Sequence, residues 1–323
     1  MSIGDLSQKR RRVSFRAALL RWYDENKRDL PWRHTSDPYR IWLSEIMLQQ
    51  TRVGAVLEHY RTFLERFPDV HALARAREQS VLAAWSGLGY YRRARNLHAC
   101  ARVVARECEG QFPSTAERLQ ELPGIGRYTA AAIASIAFGQ PCAVVDGNVE
   151  RVLQRVTGNS GLSPAATWDL AEQVLDAGRP GDFNQAMMEL GATVCVPKQP
   201  KCLGCPVMKF CITRGPQTRE SKQVRKLREI AVGFSSRPQA VWLVQRPKTL
   251  TLMPGMWEFP EVQPNGHESI ARFTHSILDT DFDVAVFSLE SPAGNGRWIP
   301  KSNLVKTALT GLSRKILRHF EML

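Results

Sequence analysis

The chain has 323 residues, 43% of them hydrophobic and 23% charged, a balance that excludes wholesale disorder and leaves room for two ordinary domains. Forty-four Lys and Arg against 31 Asp and Glu give a formal charge of +13, an excess that points to a polyanionic partner, nucleic acid first. No apolar run reaches the length of about 18 residues that a membrane span needs, and "MSIGDLSQKRRRVSF" lacks the apolar core of a secretory signal, so an intracellular protein is expected.

From about residue 14 to 190 apolar residues recur at three- and four-residue steps, as in "RIWLSEIMLQQTRVGAVLEHYRTFLERF" and "REQSVLAAWSGLGYYRRARNLHACARVVARE". Breaks carrying Pro or Gly separate these runs, which predicts an all-α domain of eight to ten helices. The basic clusters at 9–12 and 92–95, taken singly, read as solvated faces. Glu45 lies mid-helix in "WLSEIMLQQT", either on a wet side or as a partly buried acid. Tyr90 and Tyr91 read as core aromatics or, after the tight "GLG", as a wedge.

"LQELPGIGRYTAAAIASIAFG" (119–139) is two helices joined by the turn Leu122-Pro123-Gly124-Ile125-Gly126. Its glycines let the backbone approach another surface, and the following helix start offers N–H groups to an anion; a plain helix connection is the alternative. The alanines at 130, 131, 132, 134 and 137 suit close helix packing. Asp146, in "AVVDGNVERVLQRV", precedes a helix at 147–156 and reads as its N-cap or as a carboxylate facing a developing positive charge. Cys195, Cys202, Cys205 and Cys211 are spaced C-x6-C-x2-C-x5-C, which on spacing alone suits a zinc site or a cubane iron–sulfur cluster. Beyond them "TRGPQTRESKQVRKLREI" reads as a linker, and "IAVGFS", "AVWLVQRP", "WEFPEV", "FDVAVFSL" and "GRWIP" as strands. With one late helix, "SNLVKTALTGLSRKILRHF", they make a second, α+β domain.

The hairpin, an Asp 20 residues beyond Gly126 in "VDGNV", and the trailing cysteines resemble the helix-hairpin-helix superfamily of base-excision DNA glycosylases. "LPWR" at 30–33, "WLSEIMLQQT", "GLGYYRRARNL" at 87–97, "FNQAMMELG" at 183–191 and the cysteine run resemble its MutY-type adenine branch, nearly continuously over about 14–215. This resemblance implies an all-α glycosylase domain over 1–213, with a six-helix barrel core at about 30–140 and an iron–sulfur subdomain at about 1–29 plus 141–213. It implies a [4Fe–4S] cluster on the four cysteines, and as partner double-stranded DNA carrying adenine opposite 8-oxoguanine or guanine, bound by a monomer in a bacterial, nucleoid-associated setting. Glu45 would be the acid that protonates adenine and Asp146 the group that stabilises the sugar cation, with Tyr128 and Asn148 in support. Arg33 and Gln185 would hold the flipped adenine; Gln50, Thr51 and Tyr90 would contact the opposite base or wedge beside it. Leu122 to Gly126 would clamp the DNA backbone. Bifunctional relatives carry a lysine where Tyr128 stands, and a phenol forms no imine, so β-lyase chemistry is not expected. Other activities on this scaffold are an oxidised-pyrimidine or mismatch thymine glycosylase; a non-catalytic DNA-binding module is the third reading, against which both carboxylates argue.

Past a linker at 214–233, residues 234–323 resemble more weakly the Nudix-type domain of the same family, through "VWLVQRPKTLTLMPGMWEFP" and "RFTHSILD". Phe273, Thr274 and His275 fall in the Phe-Ser-His places of its 8-oxoguanine-detecting loop. The stretch 261–272 lacks the acidic helix of an active Nudix hydrolase, so the domain is read as shortened and inert toward nucleotides.

Overall fold

The computed structural model describes residues 6, 8–216, 225–264, 268–277 and 279–323. Among them, eleven α-helices precede the cysteine segment: α1 (Lys9–Asn26), α2 (Pro38–Leu48), α3 (Val53–Arg66), α4 (Val70–Arg75), α5 (Glu78–Ala84), α6 (Arg92–Glu107), α7 (Ala116–Gln120), α8 (Arg127–Phe138), α9 (Gly147–Thr157), α10 (Pro164–Val174) and α11 (Pro180–Thr193). The surplus over the expected eight to ten lies in α4, α5 and α7, whose six, seven and five residues are too short to show a period. No helix among the described residues is long and apolar enough to cross a membrane.

The chain divides into two compact units, the first drawn from Met1–Tyr60, Asp69–His71 and Ala99–Arg219, the second from Arg61–Pro68, Ala72–His98 and Glu220–Leu323. In the first unit Phe15, Leu19 and Tyr23 recur one turn apart on α1 and bury against Val149, Val152 and Val156 of α9 and Phe183, Met187 and Leu190 of α11. Phe210 of the cysteine segment closes this core, 5.7 Å from Phe15 edge to face. The alanine run packs as its composition suggests, with Ala130 to Ala134 all buried. A Cβ at Gly181 of α11 would come 2.7 Å from Ser135 O of α8, and one at Gly191 would come 2.5 Å from the Asn148 Cβ, so α11 lies directly against α8 and α9. On α2 every residue from Ile41 to Met47 is buried, which leaves that stretch no wet face and removes that reading of Glu45.

The second unit carries two sheets. In one, β1 (Lys226–Phe234) pairs in parallel with β6 (Thr280–Ser288), and β5 (Ala271–Ile277) pairs antiparallel with β6. In the other, β3 (Ala240–Gln245) pairs antiparallel with β2 (Ser236–Arg237), β4 (Trp257–Glu258) and β7 (Gly296–Pro300). Val232, Phe234, Val241, Leu243, Val284 and Val286 form the core with Ile316 and Leu317 of α12 (Gly311–His319). Three features differ from the sequence reading. The span read as linker to residue 233 already contains β1, whose first four residues are exposed and mostly charged while its end is buried; residues 217–224 of that span lie outside the described residues. The segment of Phe273, Thr274 and His275 is strand β5 and not a loop, in register with β6 from Ala271 to Ile277. The late helix is broken: a 3-10 turn at Lys301–Lys306 comes first, and Thr310 caps α12 through its hydroxyl.

Candidate active site

Four elements of the first unit bring polar side chains together among apolar ones. Glu45 projects from α2 and is 6% exposed. Tyr128, in the first turn of α8, donates from its hydroxyl to Glu45 Oε2 at 2.7 Å, with Met188 Sδ at 3.2 Å. Burial pushes the Glu45 carboxyl up to about 7; the Tyr128 bond opposes this, the Asp146 charge adds to it and Arg33 opposes it. Burial and the same two carboxylates raise the Tyr128 phenol well above its ordinary value, so it stays a donor. Glu45 is therefore a carboxyl that exchanges its proton near neutrality, the property a general acid needs.

Asp146 does cap α9: its Oδ1 accepts from the N–H groups of Asn148 at 2.9 Å and Val149 at 2.8 Å. Its Oδ2 accepts from Asn148 Nδ2 at 2.9 Å. These three donors fix the position of the carboxylate at the start of α9. Asn148 is held in turn by Arg151 Nη2, 2.7 Å from its Oδ1. Asn184, fully enclosed on α11, accepts from Val144 N at 3.1 Å and donates to Cys142 O and Ser135 Oγ, both at 2.9 Å, so it pins the segment that delivers Asp146.

Arg33 comes from the 3-10 turn Pro31–Arg33. Its Nη2 bonds Glu189 Oε2 at 2.7 Å and its Nη1 donates to Arg28 O at 3.0 Å. Arg28 grips both oxygens of the same carboxylate at 2.7 Å. Burial alone would raise the Glu189 carboxyl, but the bonds from Arg28 and Arg33 override it and hold it at about 2. Gln185 lies one turn before Glu189 on α11 and Met188 beside it, so all three share a face. Glu189, Arg28, Asn184 and Arg151 were not singled out from sequence. "FNQAMMELG" contains two of them, yet their partners lie up to 161 residues away.

The hairpin joins α7 to α8 with Leu122 and Ile125 buried and Gly126 exposed. Gly124 has φ 76°, in the left-handed region. Gly126 is the N-cap of α8 and no side chain caps the first N–H groups of that helix. Arg127 stacks its guanidinium 3.8 Å above the Trp168 ring. Gln50 is exposed at φ 55° in the turn after α2, and half-buried Thr51 donates to Gln49 O at 3.2 Å.

In the second unit the two tyrosines separate. Tyr91 is buried, whereas Tyr90 is 43% exposed at φ 47°. On β5, Phe273 and His275 turn inward: Phe273 meets the His319 ring at 5.1 Å and His275 lies near Gly311. Thr274 alone of the three is exposed.

Cys195, Cys202, Cys205 and Cys211 line one cavity with Val194, Met208 and Pro200. Burial raises the Cys205 thiol to about 11, with Cys195, Cys211 and Cys202 adding to the effect. Among the described residues no group of three or more His, Cys, Asp or Glu side chains is arranged as a ready metal site. Four thiols around one cavity are nonetheless a donor set that a metal centre would take up as thiolates. The cavity is tied to α9 by Arg155, which donates to Cys195 O, Val196 O and Pro197 O at 3.1, 2.8 and 2.7 Å. Arg151 reaches Cys195 O at 2.8 Å with the same guanidinium that holds Asn148.

Residues 43–175 match the family described as the HhH-GPD superfamily base excision DNA repair protein. The chain is 50% identical over 227 residues to the adenine DNA glycosylase of Homo sapiens, covering 66% of this chain and 41% of the human protein. The corresponding Mus musculus protein is 52% identical over 214 residues, 62% of this chain and again 41% of that protein, so the chain spans about two fifths of the length of these relatives. Against the adenine DNA glycosylase of Schizosaccharomyces pombe it is 32% identical over 342 residues, 84% of this chain and 73% of the yeast protein. Among solved structures, a thermostable thymine-DNA glycosylase superposes with TM-score 0.61 at 34% identity, over 65% of this chain and 99% of that one. A trapped endonuclease III–DNA covalent intermediate superposes with TM-score 0.57 at 21% identity, over 64% and 97%, a likeness of fold. The chain belongs to the helix-hairpin-helix base-excision repair superfamily and, within it, to the adenine DNA glycosylase family.

Proposed function

We propose that the protein is a monofunctional DNA glycosylase that hydrolyses the N-glycosidic bond of adenine paired with 8-oxoguanine or guanine. The observation that carries this is the enclosed Glu45 carboxyl, raised to about 7 and bonded to Tyr128, in the field of the Asp146 carboxylate. Adenine leaves poorly until N7 is protonated, and Glu45 holds a proton for it at neutral pH. As the bond to the sugar breaks, Asp146 faces the developing cation, preset by three donors that need no rearrangement. Water then takes the sugar carbon, and no electron is needed at any point. Arg33, fixed by Glu189, and Gln185 would hold the extruded base, Gln50 and Thr51 would meet the opposite base, and the exposed Tyr90 would wedge beside it. The hairpin from Leu122 to Gly126, with Lys198, Lys201 and Lys209, would grip phosphate. Thr274, as the exposed member of its trio, would be the hydroxyl that reads 8-oxoguanine in a Nudix-like domain.

The four cysteines fit a [4Fe–4S] cluster, which would supply ligation that fixes their loop and not chemistry at the sugar. Four iron atoms per chain and a brown absorption band are expected; stoichiometric zinc would refute the cluster. Release of adenine from an A:8-oxoguanine duplex, lost in Glu45→Gln while duplex binding persists, tests the reaction. Full activity in that variant would sink the assignment of the acid. The 34% identity to a thymine-DNA glycosylase favours mismatched thymine as the second reading, and thymine release without adenine release would select it.

A further inference from the structure

Within the second unit the Tyr90 loop is braced from two sides. On its own side, Trp85 Nε1 donates to Gly89 O at 3.1 Å. Arg93 Nη2 donates to Leu88 O at 2.9 Å and Gly89 O at 3.3 Å. The same guanidinium lies 5.3 Å from the Trp85 ring and 5.5 Å from the Tyr90 ring, so it backs the exposed tyrosine with an aromatic–cation stack. From the other side come three bonds to the C-terminal part of the chain. The carbonyl of Leu309 accepts from Ser86 Oγ and from Tyr91 OH, each at 3.1 Å, and Arg314 Nε donates to Ser86 Oγ at 3.0 Å. Ser86 and Tyr91 are 3% and 4% exposed, which takes these hydroxyls out of competition with water. Leu309 is itself anchored: it is fully buried, and the next residue bonds Trp257 O of β4 through its N–H and caps α12 through its hydroxyl.

We propose that Ser86, Tyr91 and Arg314 form a strut by which the C-terminal sheets and α12 set the position and stiffness of the Tyr90 wedge. These are positioning residues: none is assigned contact with DNA. A wedge separates stacked bases only if it yields less than they do, and a tyrosine at the tip of a two-glycine turn at φ 111° and 68° would otherwise give way. The C-terminal part of the chain thereby acts on opening of the duplex as well as on the opposite base.

The inference rests on Tyr90 being the wedge, and the experiment keeps the two apart. The probe is an A:8-oxoguanine duplex with 2-aminopurine next to the target adenine, bound to full-length, cluster-loaded protein; its fluorescence rises as the bases unstack. Tyr91→Phe and Arg314→Gln are each expected to cut the rise, and the single-turnover rate, by about threefold, and to have no further effect when Tyr90 is already Ala. Ser86→Ala takes the place of Tyr91→Phe if that variant does not fold, and melting temperatures certify each. If the strut variants leave the fluorescence unchanged, or lower the rate by the same factor with and without Tyr90, the strut is overturned while the wedge stands. If Tyr90→Ala itself leaves the fluorescence intact, the wedge reading fails and takes the strut with it.

Discussion

At the scale of single residues, the proposed reaction turns on one proton. Glu45 has its folded pKa raised to about 7, so the acid form dominates below that pH and is lost as pH rises through it. The single-turnover rate on an A:8-oxoguanine duplex is therefore expected to be flat at pH 5–6 and to fall about tenfold per unit well above 7. The hydrogen bond from Tyr128 favours the carboxylate, so Tyr128→Phe removes a force that lowers the pKa and should move the fall toward higher pH. A fall that stays put or moves to lower pH would contradict this arrangement. The same linkage makes ionised Glu45 a burden on the fold: at pH 9 Glu45→Gln should melt above the unaltered protein, by a free energy on the order of 3 kcal/mol. Glu189 is the opposite case, held at about 2, so its grip on Arg33 persists through the whole assay range and is lost only in strong acid. Sequence could offer Glu45 as a candidate but not decide its face, because what encloses Ile41 to Met47 are elements distant in the chain, which a local pattern does not show. Glu189 was hidden for another reason: a glutamate amid apolar residues announces nothing until the two arginines that neutralise it are in place.

At the scale of elements, α9 links what the sequence left separate. Its N-terminus is capped by Asp146, while Arg151 and Arg155, one turn apart, bond the carbonyls of the cysteine segment. Helix α11 lies so close that Gly191 has no room for a side chain beside Asn148. Gly191→Val is expected to displace the start of α9, costing about 1–3 kcal/mol of stability and a larger share of the rate than of duplex affinity. Equal losses in rate and affinity would show that the packing supports the scaffold and not the carboxylate. Spacing made the hairpin, the cap and the four cysteines legible, since each is written in contiguous residues. What it hid was β5, although Phe273 and His275 alternate inward with Arg272, Thr274 and Ser276 outward, the period of a strand. The charged start of β1 hid that strand in the same way, because exposed charges outweigh the apolar end in any local count.

At the scale of the whole molecule, the charge of +13 is the property most directly tied to a polyanion. Duplex affinity should fall steeply with salt, and Lys198→Ala, Lys201→Ala and Lys209→Ala should each lower the slope of log Kd against log salt by about 1. An unchanged slope in all three would remove the cysteine segment from the phosphate contacts. Sequence placed the change from helical to strand-like text after Cys211 and so drew the boundary of domains there. Compactness divides the chain differently, because Ala72–His98 is more densely connected to the C-terminal sheets than to the helices around it in sequence. Such grouping depends on contacts such as that of Ser86 with Leu309, 223 residues on, which no local pattern encodes.

The place of Asp146 as the cap of α9 gives the proposed reaction a practical side. Asparagine caps a helix about as well as aspartate does, so Asp146→Asn keeps an oxygen for the N–H groups of Asn148 and Val149 and gives up only the bond from Asn148 Nδ2. The charge disappears while the architecture around it stays. A protein altered in this one atom should seize its damaged duplex and not let the base go, which would make it a reagent: a tag that marks where in a genome adenine sits opposite the wrong partner.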